Sequence, residues 1–221
     1  MAFEEGRRGR LRRLADRLIE RPPGLWRLMA PKGEFRYPSA DGRKRIFLTF
    51  DDGPDPEITP WVLDELDRVG AKATFFMVGD NASRHPELVE MVRERGHAVG
   101  NHTFHHLAGM RVGTRRYLRD VALADKLLQT PLIRPPHGWM RPSLARALAR
   151  RYRIVMYDLV TRDYSWRMRP EDVVENVRRY TRDGSIIVFH DSHKAWPRLR
   201  EALPAALDWL RREGYIMDSI G

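Results

Sequence analysis

Short apolar runs alternate with amphipathic stretches from Ile46 to the end of the chain, and this alternation most constrains the fold. The apolar runs are RIFLTF, KATFFMV, HAVGNH, PLIRP, RIVMYDLV, SIIVFHD and GYIMDSI. Their length is typical of buried strands, whereas the stretches between them have helical spacing. Strands that alternate with helices build a parallel sheet covered by helices. We therefore expect an α/β fold, a single-domain distorted (β/α)7 barrel.

The predicted helices have recognisable ends. Thr59 and Pro60 begin the first helix, and Gly70 ends it. The others are expected to begin near Pro86, Thr114, Pro142, Pro170 and Pro197. A doubly wound open sheet is the alternative, but such sheets usually have a glycine-rich phosphate-binding turn after the first strand. Here Asp-Asp-Gly-Pro follows that strand, which favours the barrel.

Polar residues follow the predicted strands where a parallel barrel places its active site. Asp51 and Asp52 end the first strand, and two adjacent carboxylates repel each other unless a proton or a cation lies between them. His102 and His106 are four residues apart, so a helical turn would present both imidazoles on one face. The chain has no cysteine, so a metal must be bound by His, Asp or Glu. The pattern indicates a divalent metal site.

Five segments carry a family resemblance. TFDDGPD, HTFHH, RPPHG, RDY and VFHD occur in the order and rough spacing of the five motifs of polysaccharide deacetylases, the NodB-homology domain of carbohydrate esterase family four. The resemblance extends from about Arg45 to Ile220. It implies a metal-dependent hydrolase that acts on a carbon–nitrogen amide bond and removes N-acetyl groups from an amino-sugar glycan or glycoconjugate. Members act on chitin oligomers, peptidoglycan, acetylated xylan and lipid-linked sugars, and all of these stay open alternatives.

The resemblance implies a role for each matching residue. Asp52, His102 and His106 would bind one divalent ion, with zinc expected first and cobalt or another divalent ion as alternatives. His105 is expected to be a bystander.

Four further residues would carry acid–base chemistry in such an enzyme. Asp51 would be the general base toward a metal-activated water, and Arg134 would orient this base and keep it ionised. His190 would be the general acid that protonates the leaving amine, with Asp163 as its carboxylate partner.

The chain departs from the family pattern at the pocket. His137 stands where the family commonly has Tyr or Phe, a residue that directs its backbone N–H toward the oxyanion. Tyr164 replaces the common Trp, and Val160 occupies a position where many members have an additional Asp. These changes predict an altered pocket wall around His137 and Tyr164.

Several of these residues have a purely structural interpretation. Asp51 and Asp52 could form only a turn before Gly53. Arg134 and Asp163 could belong to an interior structural ion pair. Three tryptophans near strand ends could stack on sugar rings or simply cover the mouth of the barrel: Trp139, Trp166 and Trp196.

The first 44 residues form a basic N-terminal extension, and residues 45–221 form the deacetylase-like domain. The formal net charge is +10, and many arginines lie near the N-terminus. Three leucines at helical spacing predict an N-terminal helical extension: Leu11, Leu14 and Leu18. It could pack against one end of the barrel, or residues 7–30 could make peripheral contact with an anionic membrane. Nucleic-acid binding is not expected, because no recognition motif accompanies the arginines.

The same segment bears on the cellular location of the protein. Asp16, Arg17 and Glu20 interrupt its apolar residues, so neither a secretory signal nor a transmembrane span is evident, and a cytoplasmic or membrane-surface protein is expected. Two other functions compete with hydrolysis: a catalytically silent glycan-binding or membrane-surface barrel, and a non-haem iron oxygenase that uses two His and one carboxylate. The paired base and acid favour hydrolysis.

Overall fold

The computed structural model describes residues 20, 21, 24, 28, 30 and 32–221. The predicted N-terminal helix through Leu11, Leu14 and Leu18 therefore lies outside the described residues. Within the predicted extension, Gly33–Glu34 forms a short strand that pairs with the barrel. The boundary between residues 44 and 45 stays a prediction.

Nine strands and seven α-helices make up the described chain. In chain order the strands are β1 (Gly33–Glu34), β2 (Arg45–Asp51), β3 (Ala73–Met77), β4 (Ala98–Asn101), β5 (Leu132–Ile133), β6 (Arg153–Val155), β7 (Leu159–Val160), β8 (Ile186–His190) and β9 (Ile216–Asp218). The helices are α1 (Ile58–Val69), α2 (Gly79–Arg84), α3 (Pro86–Glu94), α4 (Thr114–Leu128), α5 (Pro142–Leu148), α6 (Pro170–Tyr180) and α7 (Trp196–Arg212). The short helix α2 is the one that the sequence pattern did not predict.

The nine strands form one sheet in which all ladder pairings are parallel. Its order is β1-β6-β5-β4-β3-β2-β8-β7, and β9 pairs with the start of β2. The sheet curls, because Arg134 after β5 and Val160 in β7 line the same cavity although their strands are far apart in the order. This architecture confirms the single-domain distorted (β/α)7 barrel.

One predicted strand is two strands. RIVMYDLV divides into β6, which pairs with β1 and β5, and β7, which pairs with β8. Between them the carbonyl of Met156 accepts a hydrogen bond from Arg134, and Asp158 pairs with Arg182. The prediction of a single strand was wrong because a run buried on both faces has no alternation to mark the crossing.

The side-chain alternation of β2 explains how the site is placed. Ile46, Leu48 and Phe50 pack into the apolar cluster that includes residues of α1 and α7. Every second residue of a strand faces the opposite side, so Thr49 and Asp51 point to the other face of the sheet. There the guanidinium of Arg134 contacts both of them. The strand that builds the core therefore also carries Asp51 into the barrel mouth.

Among the described residues, no helix combines the length and apolar character that crossing a membrane requires.

Candidate active site

The first acid of the pair is held by an arginine from across the barrel. Asp51 is 6% exposed and Arg134 is 1% exposed. Arg134 Nη1 donates to Asp51 Oδ1 at 2.7 Å and to Thr49 Oγ1 at 2.7 Å. Its other nitrogens donate to the carbonyls of Val155 and Met156 at the end of β6. All three nitrogens of the guanidinium are thus engaged, and Nη1 anchors one oxygen of the Asp51 carboxylate.

The two histidines approach each other through a loop. His102 and His106 have ring centroids 5.1 Å apart. The segment after β4 is not helical, since Thr103 and His106 have positive φ angles of 64° and 52°. The prediction that the two imidazoles meet was right in its result, whereas the expected helical turn was wrong. Asn101 stabilises the loop by accepting a hydrogen bond from the backbone N–H of Thr103 at 2.8 Å.

A buried acid on α4 holds the same loop, and it was not among the predicted site residues. Asp120 Oδ2 accepts hydrogen bonds from the backbone N–H groups of Phe104 and His105, at 2.8 and 3.0 Å. Its Oδ1 lies 2.5 Å from His105 Nδ1, so His105 is an anchor of the loop. A signal was present, because Asp120 lies on the buried face of α4 next to Tyr117 and Val121.

Asp52, His102 and His106 form the one cluster of three potential metal ligands among the described residues, with ligand atoms within 4.8 Å of one another. Asp52 Oδ1 lies 3.1 Å from His106 Nε2 and 3.7 Å from His102 Nε2. Ligand atoms that each lie about 2.0–2.2 Å from one zinc ion are about 3–3.5 Å apart. Two imidazoles and one carboxylate are also a donor set suited to zinc and other divalent ions. The residues therefore fit a divalent metal.

A hydrogen bond outside the cluster sets which ring nitrogen of His102 carries the proton. Its Nδ1 lies 2.7 Å from the carbonyl oxygen of Arg134, which can only accept, so Nδ1 carries the proton and Nε2 is free toward Asp52. Burial lowers the pKa of His102 to about 4, against the opposing charges of Asp51 and Asp52. The neutral imidazole therefore predominates at neutral pH.

The protonation of Asp52 suits the same purpose. Burial by itself raises the pKa of Asp52, but the hydrogen bond from His106 and the charges of His190 and His102 outweigh it. Together they hold the pKa of this carboxyl well below its usual range. Asp52 is thus an ionised oxygen donor next to the neutral imidazole of His102.

His190 lies beside the acid pair, since β8 runs in register with β2 and pairs His190 with Asp51. Its Nδ1 lies 2.7 Å from Oδ1 of Asp163, which is fully buried, and its backbone N–H donates to Asp163 Oδ2. Burial lowers the pKa of His190, but the charge and hydrogen bond of Asp163, helped by Asp52 and Asp51, outweigh this and raise the pKa to about 9. The imidazolium is therefore the main form at neutral pH.

A cavity of about 490 Å³ is lined by the three-residue cluster and by Asp51, Arg134 and His190. His137 and Tyr164 both line it, as do Val160 and Trp139. The His137 ring packs edge-on against His106, with centroids 4.8 Å apart, and Tyr164 packs in the same way against His190 at 4.9 Å. Burial and the neighbouring His106 lower the pKa of His137.

The three tryptophans that could stack on sugar rings or cover the barrel have different environments. Trp139 lines the cavity and is 40% exposed. Trp196 packs edge-on against Trp61, with ring centroids 4.9 Å apart, and covers the core. Trp166 is 80% exposed, beside Arg167.

Comparison with known proteins gives consistent matches. The chain matches the polysaccharide deacetylase family over residues 39–155. It is 32% identical over 201 residues to a peptidoglycan-N-acetylglucosamine deacetylase of Bacillus cereus, which covers 85% of this chain and 91% of that protein. It is 35% identical over 163 residues to a chitooligosaccharide deacetylase of Sinorhizobium fredii, covering 69% and 74%. Other relatives are longer, and the chain spans 38% of a Listeria monocytogenes peptidoglycan deacetylase.

Solved structures extend the likeness to the fold. A crystal structure of a peptidoglycan N-acetylglucosamine deacetylase in complex with 4-naphthalen-1-yl-N-oxidanyl-benzamide superposes with a TM-score of 0.81 and 27% identity. The match covers 90% of this chain and 94% of that one.

Proposed function

Because the chain belongs to the polysaccharide deacetylase family, we propose that it removes N-acetyl groups from an amino-sugar glycan by metal-dependent hydrolysis. One observation carries the proposal: a three-ligand cluster, a base held by an arginine and a histidine held by a carboxylate all face the same cavity. Hydrolysis joins a water oxygen to the acetyl carbon and breaks the bond from that carbon to the sugar nitrogen, so acetate leaves. This reaction needs one group that removes a proton and one that supplies a proton.

Asp52, His102 and His106 would hold the metal, with zinc as the proposed ion and cobalt or another divalent ion as an alternative. A divalent ion at this position supplies a Lewis acid that polarises the amide carbonyl and makes water more acidic. The family's metal dependence and the donor set support this assignment.

Asp51 is proposed to take the proton from the attacking water. The hydrogen bond from Arg134 to Asp51 holds the carboxylate in place before the substrate arrives, and Arg134 is itself anchored on Thr49. Such preorganisation avoids the cost of orienting the base during the reaction. Arg134 acts through Asp51 and is a positioning residue.

His190 is proposed to give a proton from Nε2 to the leaving nitrogen. Its Nδ1 is engaged with Asp163, which leaves Nε2 as the nitrogen that can reach the cavity. A neutral amine leaves far more readily than an amide anion, so this protonation lowers the barrier to bond cleavage. Asp163 keeps the imidazolium available and acts as its positioning residue.

The remaining lining residues are proposed to bind the sugar. His137 and Tyr164 flank the metal cluster and the acid, respectively, and would form the wall against the acetyl group. Trp139 at the edge of the cavity offers a ring face for stacking on a sugar. N-acetylated glycans of the kind named for the relatives, peptidoglycan or chitooligosaccharides, are the proposed substrates.

The role of the basic extension stays a prediction. Peripheral contact of residues 7–30 with an anionic membrane remains the proposal for its basic face. Within that range Glu20 is described, and its carboxylate pairs with Arg162 at 3.2 Å, so this residue lies against the barrel.

Two measurements test the proposed function: the metal content of the purified protein and its release of acetate. The purified 221-residue chain is compared with Asp52→Ala and with the control Asp64→Ala, which removes an exposed aspartate of α1 that pairs with Arg95. We expect about one zinc ion per chain in wild type and Asp64→Ala and its loss in Asp52→Ala. Acetate release from N-acetylchitooligosaccharides should follow the metal. Wild-type protein that binds no zinc or cobalt after incubation would contradict the proposal.

A further inference from the structure

Asp52 lies between the catalytic cavity and a second cavity. Asp52 lines both the 490 Å³ catalytic cavity and a second cavity of about 340 Å³ behind the loop that carries it. The rear cavity is lined by polar residues, among them Asn81, Asp191 and Ser192. Asp52 is half-buried with space on both sides, whereas Gly53 and Pro54 are buried, so packing holds Asp52 less firmly than the two residues that follow it. Polar contacts therefore add to packing in holding the conformation of Asp52.

The backbone of Asp52 needs such support. Its φ angle is 80°, a left-handed conformation that a non-glycine residue rarely adopts without help. The next position admits only glycine, because a Cβ on Gly53 would lie 2.1 Å from an oxygen of Asp191, whose carboxylate packs directly against this backbone. The carboxylate of Asp52 reaches His102 and His106 from this unusual backbone position.

Two side chains form hydrogen bonds with the peptide group between Asp52 and Gly53, one with its carbonyl oxygen and one with its N–H. Asn81 Nδ2 donates to the carbonyl oxygen of Asp52 at 2.8 Å. Asp191 Oδ1 accepts a hydrogen bond from the backbone N–H of Gly53 at 3.2 Å. The Asp52 carbonyl and the Gly53 N–H belong to the same rigid plane, so the two contacts together fix its rotation. They thereby fix ψ of Asp52.

Both side chains are themselves oriented. Arg84 donates to Asn81 Oδ1, so the amide nitrogen of Asn81 must face Asp52. The Thr59 hydroxyl donates to Asp191 Oδ2 at 2.6 Å, and Asp191 is 1% exposed. Asn81 lies on α2 and Asp191 follows β8, so each contact ties the loop to a separate part of the barrel.

We propose that Asn81 and Asp191 are positioning residues that lock the Asp52–Gly53 peptide plane and so hold the Asp52 carboxylate ready for the metal. The inference rests on the metal site proposed above. Without either contact the plane can rotate, and only the fraction of molecules with the native ψ offers all three ligands. The apparent dissociation constant for metal rises as that fraction falls. Loss of a residue that orients a ligand typically weakens metal binding by about 10–100-fold.

The zinc dissociation constant of the full-length protein, measured by competition with a chelator, tests this. Asn81→Ala is the main variant, since alanine suits α2 and the position is half-buried. Asp191→Ala removes the second contact. Asn176→Ala is the matched control, because it deletes a buried amide that donates to the carbonyl of Thr161 at 3.2 Å, away from the cluster. Thermal unfolding of the metal-free proteins is recorded in parallel.

We expect zinc to bind about 10–100-fold more weakly to Asn81→Ala and Asp191→Ala, whereas Asn176→Ala keeps the wild-type dissociation constant even where its unfolding temperature falls. Unchanged zinc binding by folded Asn81→Ala would overturn the inference, and this variant decides if Asp191→Ala does not fold. Wild type that binds no zinc overturns the metal site as well. Wild type that binds zinc without releasing acetate overturns the proposed function only.

Discussion

Replacing Asp163 with asparagine should move the basic limb of the kcat–pH profile to lower pH. Asp163 is fully buried and contacts His190 twice, through the ring nitrogen and through the backbone N–H. Asparagine keeps the shape and can still accept from the backbone N–H, but it removes the negative charge next to the imidazolium. Asp163→Asn is therefore a test of charge with little change in packing.

The magnitude follows from the pKa of His190. It is raised from 6.5 to about 9, a difference that corresponds to ~3 kcal/mol in favour of the imidazolium. With a pKa of about 9, about 97% of His190 carries the proton at pH 7.5, and with a pKa of 6.5 the fraction is about 9%. Loss of protonation alone therefore lowers kcat about tenfold at pH 7.5. Misorientation of the acid can add to this, up to the roughly 10²–10⁴-fold that general acid catalysis contributes.

The assay is kcat for acetate release against pH, from pH 6 to 10, with metal-loaded enzyme and N-acetylchitooligosaccharide. Asp158→Asn is the matched control, because Asp158 is also buried but pairs with Arg182. We expect the basic limb of wild type and Asp158→Asn to lie at higher pH than that of Asp163→Asn, because only Asp163→Asn loses the charge that raises the pKa of His190. NMR titration of the His190 ring should show the same displacement.

A basic limb that stays in place in Asp163→Asn would refute the reasoning, as would an unchanged NMR titration of His190. Either result would mean that Asp163 does not set the charge of His190. If His190→Ala shows the same basic limb as wild type, His190 is not the group that titrates.

Three further results are expected. Arg134→Met leaves the buried Asp51 carboxylate without its partner, so the free energy of unfolding, measured in urea, should fall by about 3–5 kcal/mol, and kcat should fall as well. A variant as stable and as active as wild type would contradict the role of Arg134 as the partner of Asp51. Asp120→Ala removes the two hydrogen bonds that Asp120 accepts from the backbone of the His102–His106 loop, so zinc binding measured by chelator competition should weaken about 10–100-fold. Unaltered zinc binding would show that the loop keeps its conformation without Asp120. Because the folded-state pKa of His190 lies above its unfolded value, its stabilisation is complete below pH 6.5 and is lost as the pH rises through about 9. The metal-free protein should therefore lose up to ~3 kcal/mol more than His190→Gln between pH 6 and 9 in chemical unfolding, and parallel curves would exclude this linkage.

Local patterns in the chain predicted most of the architecture. Six of the seven helices of the described chain were expected, and α4 begins at Thr114 as predicted. Apolar periodicity and capping residues act over a few positions, so they can be read without knowledge of the rest of the fold. Asp51, Asp52 and His190 were found because the ends of parallel strands meet at one edge of the barrel.

The sequence was less informative where contacts join distant segments. The Asn81 and Asp191 contacts to the peptide after Asp52 span 29 and 138 residues of chain, and the α4 contacts of Asp120 reach back to the loop of His105. Hydrogen-bond partners at such separations depend on how helices and strands pack, and no periodicity records them.

Two local conformations were also decided by the tertiary structure. The crossing between β6 and β7 is set by bonds from Arg134 and Arg182, which replace strand pairing within a continuous apolar run. The loop that joins His102 to His106 adopts positive φ angles where four-residue spacing suggested a helix. The residue types and their order along the chain thus determined which chemistry this protein carries. The geometry that makes the chemistry work arises only when distant segments pack together, because each site residue is oriented by a partner from another part of the barrel.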